Sequence, residues 1–115
     1  MTDASIAREW EGSRAVLRIG GVFDRDVAWA LRERIARDPA AELLLDFSLV
    51  REFSDLGVAL LAHALQASPR HVLVRGLRQH QLRIFRYCGF NVDELTAGDA
   101  VVRATLAAAE ASSGG

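Results

Sequence analysis

Apolar and polar positions along this chain switch period several times, and each switch predicts an element. Ile6 to Trp10 and Ala15-Val16-Leu17-Arg18-Ile19 read as two strands around a Gly12-Ser13 turn, which together suggest a hairpin. Gly20-Gly21 is expected to end the second strand, and Asp24 is an N-cap candidate for a helix running to about Arg37. Val27, Leu31 and Ile35 supply its apolar stripe, with Trp29 and Ala30 broadening it or lying outside it, and Asp38-Pro39 stops it. Leu43-Leu44-Leu45-Asp46-Phe47-Ser48 then reads as a strand buried on both faces, followed by a short loop. From Ser54-Asp55 onward the apolar positions Leu56, Ala59, Leu60 and Ala64 take helical spacing, with Ser54 or Asp55 as the cap.

Ser68-Pro69 marks a break before the short apolar strand His71-Val72-Leu73-Val74, which ends at Gly76. A third helix is predicted from about Gln79 to Tyr87, with Leu82, Ile84 and Phe85 inward, Arg78, Arg83 and Arg86 outward, and Gly89 at its C′ position. Val92 is a candidate start for a small final strand, and a last helix is predicted from about Ala97 or Gly98 to Ala109. The order β-β-α-β-α-β-α-(β)-α predicts an α/β fold: a small, mixed, mostly parallel sheet of four or five strands with an N-terminal antiparallel hairpin, packed by about four helices on both faces. Residues 1–110 are expected to be one domain and 111–115 a flexible tail.

Composition narrows the function classes. With 115 residues, 50% hydrophobic and 25% charged, the chain has the make-up of an ordinary globular domain, and a net charge of −1 supplies no global attraction to nucleic acid or anionic lipid. Its one cysteine, Cys88, has no intramolecular partner and reads as a small apolar residue. The N-terminus lacks a basic segment followed by an apolar core, and no apolar run reaches the ~20 residues that span a bilayer, so a cytoplasmic protein is expected.

Little in the chain points to catalysis. Gly20-Gly21 lacks the spacing of a dinucleotide-binding turn and reads as a tight turn. His63, His71 and His80 have no partners at metal-ligand spacing, so neither metal nor cofactor is expected. Arg75, Arg78, Arg83 and Arg86 form a local basic cluster that reads first as a solvated helix face and second as a contact for an acidic surface or phosphate. Trp10 and Trp29 read as core or hairpin packing ahead of an exposed recognition patch. Asp46 closes a buried strand, where an acid is expected to bond to loop N–H groups.

Four segments together resemble the STAS domain typified by bacterial anti-sigma-factor antagonists. Ala15 to Asp24 is similar to that family's strand ending in G-E-L-D, and Leu43 to Val50 to its V-V-L-D-L-S-G-V strand. Phe53 to Leu61 is similar to I-D-S-S-G-L-G-V-L, and Leu82 to Phe90 to the helix ending in L-T-G-L. The resemblance implies a non-enzymatic module that binds a protein partner, an anti-sigma factor or related serine kinase, through the loop Ser54, Asp55, Leu56, Gly57 and the neighbouring turn at Phe23, Asp24 and Arg25. In the family, phosphorylation of a serine in D-S-S-G blocks binding; here Leu56 fills the phosphoacceptor position and cannot be phosphorylated, which leaves Ser54 as a possible substitute. Partner switching in transcription regulation is the implied role. The alternative is a cytoplasmic STAS subunit that clamps the ATPase of a membrane lipid-transport complex, and a nucleotide-binding regulator is a third, weaker reading.

Overall fold

The computed structural model describes residues 6–67, 71–90 and 102–103. Strands β1 (Ile6–Glu11) and β2 (Arg14–Phe23) form the expected antiparallel hairpin, whose turn uses Gly12 at φ +67°, a left-handed conformation that costs a residue without Cβ little. Helix α1 (Arg25–Arg37), strand β3 (Glu42–Phe53), helix α2 (Asp55–Ala67), strand β4 (His71–Arg75), helix α3 (Gln79–Tyr87) and the two-residue strand β5 (Val102–Arg103) follow. The sheet order is β1-β2-β3-β4-β5, with β2, β3 and β4 parallel and both outer pairs antiparallel. The expected class of fold, a mostly parallel small sheet with an N-terminal hairpin, is the one observed.

The strand order steps in one direction through β2, β3 and β4, so right-handed crossovers place α1 and α2 on the same face of the sheet, where they pack together. Leu17, Leu43, Leu45 and Val74 meet Leu31 and Ile35 of α1 and Val58 and Leu61 of α2 in one buried cluster, which α3 joins through Phe85. Helices on both faces were expected; among the described residues all three helices lie on one. The described residues 102–103 also correct the predicted last helix: they pair with Val74 and Leu73 as a strand, and the rest of that helix, like the strand proposed at Val92, lies outside the described residues.

Two strands run further than their sequence suggests. β2 continues through Gly20-Gly21 to Phe23, and β3 continues beyond Ser48 to Phe53, because the two remain paired through register shifts between Arg18 and Gly20 and between Gly21 and Val22. Their shared C-terminal extension ends in a cluster made of all five phenylalanines of the chain. Phe23, Phe47 and Phe53 contact one another edge-on or tilted at 5.4–5.6 Å between ring centroids, and Phe85 bridges them to Phe90 at 4.9 Å. The Phe85–Phe90 contact closes the C-terminus of α3, where the Phe90 N–H donates to the Phe85 carbonyl and Gly89 takes φ +102°, as expected of its C′ position.

The opposite sheet face buries Val16 and Leu44, so β3 is buried on both faces as expected, and beside them it carries charge. Asp46 is buried; it accepts the Ser48 N–H at 2.9 Å and the Ser48 hydroxyl at 2.6 Å, and pairs with Arg75 at 3.1 Å. Arg75 also donates two 3.1 Å bonds to Glu11, an ion pair that reaches from β4 to β1 across the two central strands, while Arg18 joins Glu9 to Asp46. Arg75 therefore does not belong to the basic cluster that the sequence groups with Arg78, Arg83 and Arg86. Burial pushes the Asp46 carboxyl up, but the two Ser48 donors and the Arg75 guanidinium outweigh it and hold the group below its ordinary range.

Two outcomes are expected. Phe47→Ala removes the ring that touches Phe23, Phe53 and Phe85 and should cost about 3–5 kcal/mol in denaturant unfolding; a loss below about 1 kcal/mol contradicts this core. A carboxyl with a depressed folded-state pKa contributes fully above its unfolded value and loses that contribution as pH falls through the folded one. Melting temperature of the wild type should therefore fall in acid below about pH 4, and Asp46→Asn should be less stable at neutral pH with a shallower acid loss.

Candidate functional site

Two β–α corners meet above the phenylalanine cluster, and they are built alike. In each, a buried Phe ends the strand, a polar residue caps the following helix, and two exposed residues come before two buried ones: Phe23-Asp24-Arg25-Asp26-Val27-Ala28 and Phe53-Ser54-Asp55-Leu56-Gly57-Val58. Asp24 Oδ1 accepts the Val27 N–H at 3.1 Å; Ser54 Oγ accepts the Gly57 N–H at 2.9 Å. Of the two cap candidates for α2, Ser54 is the cap and Asp55 is the first helical residue, an acid in the first turn that suits the helix dipole.

The corners are held against each other through backbone. The Ser54 N–H donates to the Phe23 carbonyl at 2.9 Å. A Cβ on Gly57 would lie 2.8 Å from the Asp24 carbonyl oxygen and 2.9 Å from that of Phe23, so only glycine lets α2 start this close to the β2–α1 turn. With Gly57 and Val58 turned inward, the buried face of α2 runs through Val58, Leu61, Ala62 and Ala64. Leu56 and Ala59, expected on an apolar face, instead point outward, and Leu56 is 60% exposed.

The predicted site residues thus separate into two sets. Phe23 and Gly57 are buried and serve packing, and Asp24 and Ser54 are spent on caps. Arg25, Asp55 and Leu56 are exposed and face outward together from the two helix starts. Arg25, Leu56, Ala59, Leu60 and His63 line a shallow cleft between α1 and α2, and Arg25, Asp26, Trp29 and Leu60 line its neighbour. Trp29 is exposed, with Arg32 stacked over its ring at 4.6 Å. On the other side of the corners, Val22 and the 59% exposed Leu49 border a groove with Gly20, Gly21 and Asp24.

Leu49, 59% exposed, carries no sequence expectation as a surface residue, and Trp10 and Trp29, read first as core or hairpin packing, are both exposed. A signal for α2 was present: only Asp55, His63 and Gln66 are polar in its thirteen residues, more apolar surface than one buried face accounts for. Among the described residues no group of His, Cys, Asp or Glu is arranged to hold a metal ion. Cys88 lies half-buried with its Sγ 3.6 Å from the Asp55 carbonyl oxygen, and burial together with the Asp55 charge pushes its thiol up, away from the reactive thiolate. No described helix is long and apolar enough to cross a membrane.

A small, mostly parallel sheet with an N-terminal hairpin, layered with helices and presenting capped β–α corners with exposed apolar side chains, has the form of a STAS domain. Residues 6–103 match the family model described as "Mlab, STAS domain", and the chain belongs to that family. A comparison with curated proteins finds no match. Among solved structures, Mglu is 27% identical over 63% of this chain with a TM-score of 0.53, and this chain spans only 20% of the Mglu chain. The unphosphorylated anti-sigma factor antagonist SpoIIAA shares the fold at 16% identity and TM-score 0.52, covering 71% of this chain and 82% of its own. A serine-to-glutamate variant of RsbS from Moorella thermoacetica does so at 14% identity and TM-score 0.59, covering 83% of this chain and 86% of its own.

The corner geometry carries its own test. Gly57→Ala should force the α2 start away from the Asp24 carbonyl and cost about 1–3 kcal/mol, whereas Ser54→Ala should lose one cap bond and about 1 kcal/mol. Chemical denaturation of both variants checks the order; a Gly57→Ala protein as stable as the wild type rules out the close approach.

Proposed function

We propose that this chain is a non-enzymatic protein-interaction module that binds its partner across the two β–α corners, in the manner of an anti-sigma-factor antagonist but without its phosphorylation switch. The observation that carries the reading is Leu56: a large apolar side chain 60% exposed in the first turn of α2, sharing a cleft with the exposed Arg25 and the half-buried Leu60, beside the exposed Trp29. Covering its exposed part with a fitted partner would recover about 1–2 kcal/mol. The same position is the phosphoacceptor of the resembled family, so a leucine there turns a switchable contact into a constitutive one. Ser54, the only hydroxyl in the segment Phe53 to Gly57, already accepts the Gly57 N–H, and phosphorylating it would sacrifice the α2 cap.

Partner switching with an anti-sigma factor or related serine kinase, in the cytoplasm, is the role this surface fits first. A second reading is favoured by the description of the matching family model: a STAS subunit seated on the ATPase of a membrane lipid-transport complex. Both use the same face, and the partner's identity separates them.

Affinity capture from native lysate followed by mass spectrometry should recover one dominant protein, a kinase-like anti-sigma factor on the first reading or a transport ATPase on the second. Leu56→Asp should weaken binding of that purified protein at least about tenfold with little change in melting temperature, since the side chain is exposed. Wild-type affinity in Leu56→Asp and Arg25→Glu together would place the interface elsewhere. With the kinase and ATP, tandem mass spectrometry should find no phosphate on Phe53 to Gly57; phosphate on Ser54 would overturn the constitutive reading.

A further inference from the structure

The arginines of this protein divide into two populations. On the sheet and on α1 most are paired: Arg8 with Asp38, Arg18 with Glu9, Arg75 with Glu11 and Asp46, Arg37 with Glu33. On α3, Arg83 and Arg86, like Arg78 at its N-cap, are exposed, and none makes an ion pair with a described acid. At 100° per residue, Arg86, Gln79, Arg83, Tyr87 and His80 fall within one arc of about 120°, directly opposite the buried Gln81 and Phe85. The arc is therefore fixed by packing: Phe85 is locked into the phenylalanine cluster, and the Gln81 side chain donates to the Val50 carbonyl while accepting the Arg78 N–H. Tyr87, 81% exposed, stands among the arginines, and no lysine occurs anywhere in the chain, so every cation presented is a planar guanidinium fork.

We infer that the outer face of α3 docks an acidic segment of a partner protein, with Arg83 and Arg86 taking its carboxylates and Tyr87 packing beside them. Arginine and tyrosine are the residue types enriched at protein interfaces, and guanidinium forks match carboxylates in bidentate geometry. The face is continuous with the corner site, because Arg83, Ile84 and Tyr87 share a cleft of about 250 Å³ with Asp55 at the start of α2. Two arginines on a nine-residue helix, in a chain of net charge −1, make too small a field for nucleic acid or a membrane surface but suit a short acidic stretch. The inference rests on the proposal that the protein binds a partner at the α2 corner, and it adds that partner's chemistry.

The test titrates isotope-labelled full-length protein with a Glu- and Leu-rich amphipathic peptide, its Lys-for-Glu counterpart, a duplex oligonucleotide, and vesicles containing anionic lipid. Saturable binding of the acidic peptide alone is expected, with amide shifts on Gln79 to Tyr87, and Arg83→Glu with Arg86→Glu should weaken it at least about tenfold while leaving the melting temperature unchanged. No saturable binding of the acidic peptide, shifts confined to other elements, tighter binding of oligonucleotide or vesicles, or wild-type peptide affinity in the double variant overturns the inference. The captured partner separates the two claims. If Leu56→Asp weakens that complex and the arginine reversal does not, the corner site stands and the α3 surface falls; if neither weakens it, both fall.

Discussion

The contact on which the rest of this molecule depends is the approach of Gly57 to the carbonyls of Phe23 and Asp24. It fixes how close α2 can start to the β2–α1 turn, and with the Ser54 N–H bond to the Phe23 carbonyl it locks the two corners into one unit. Below them the phenylalanine cluster supplies a rigid floor, since Phe23 and Phe53 end the two strands whose backbones carry those bonds. The rotational setting of α2 follows from this. Once residue 57 must face inward, Leu56 must face out, and the apolar side chain at the helix start becomes surface.

Exposed leucine is common on proteins, and one such side chain alone means little. Here Leu56 is joined by Trp29 and the half-buried Leu60 on one side of the corners and by Val22 and Leu49 on the other, so the apolar surface is grouped at the C-terminal ends of the parallel strands. The caps beneath it are occupied by Asp24 and Ser54, which holds the helix starts rigid. A preorganised surface of this kind loses little conformational entropy on binding. Stiffness at the corners and exposed apolar side chains above them are what a constitutive binding module requires.

Much of this was legible in the sequence because the signals were local. Asp24 before an apolar four-residue repeat, Gly89 after a helical stretch, and the alternating hairpin each specify their structure within a few residues, and each element formed where expected. The errors came where a distant contact decides. β2 was expected to stop at Gly20-Gly21, yet pairing with β3 carries it to Phe23. The spacing of Leu56 and Ala59 allows an apolar helical face, but the helix is turned by Gly57 pressed against the backbone of Phe23 and Asp24, far away in sequence. Arg75 was grouped with the arginines that follow it, although strand pairing points it at Asp46 and Glu11. Spacing names the faces of an element, and tertiary contact decides which face is buried.

The central claim is that the two corners form a single protein-binding face, and hydrogen exchange in the complex addresses it most directly. Amides of Arg25 to Ala30 and Asp55 to Leu60 should gain protection when the captured partner binds, while those of the β1 edge strand, Ile6 to Glu11, should exchange as in the free protein. Protection confined to β1, with the corners unchanged, would contradict it.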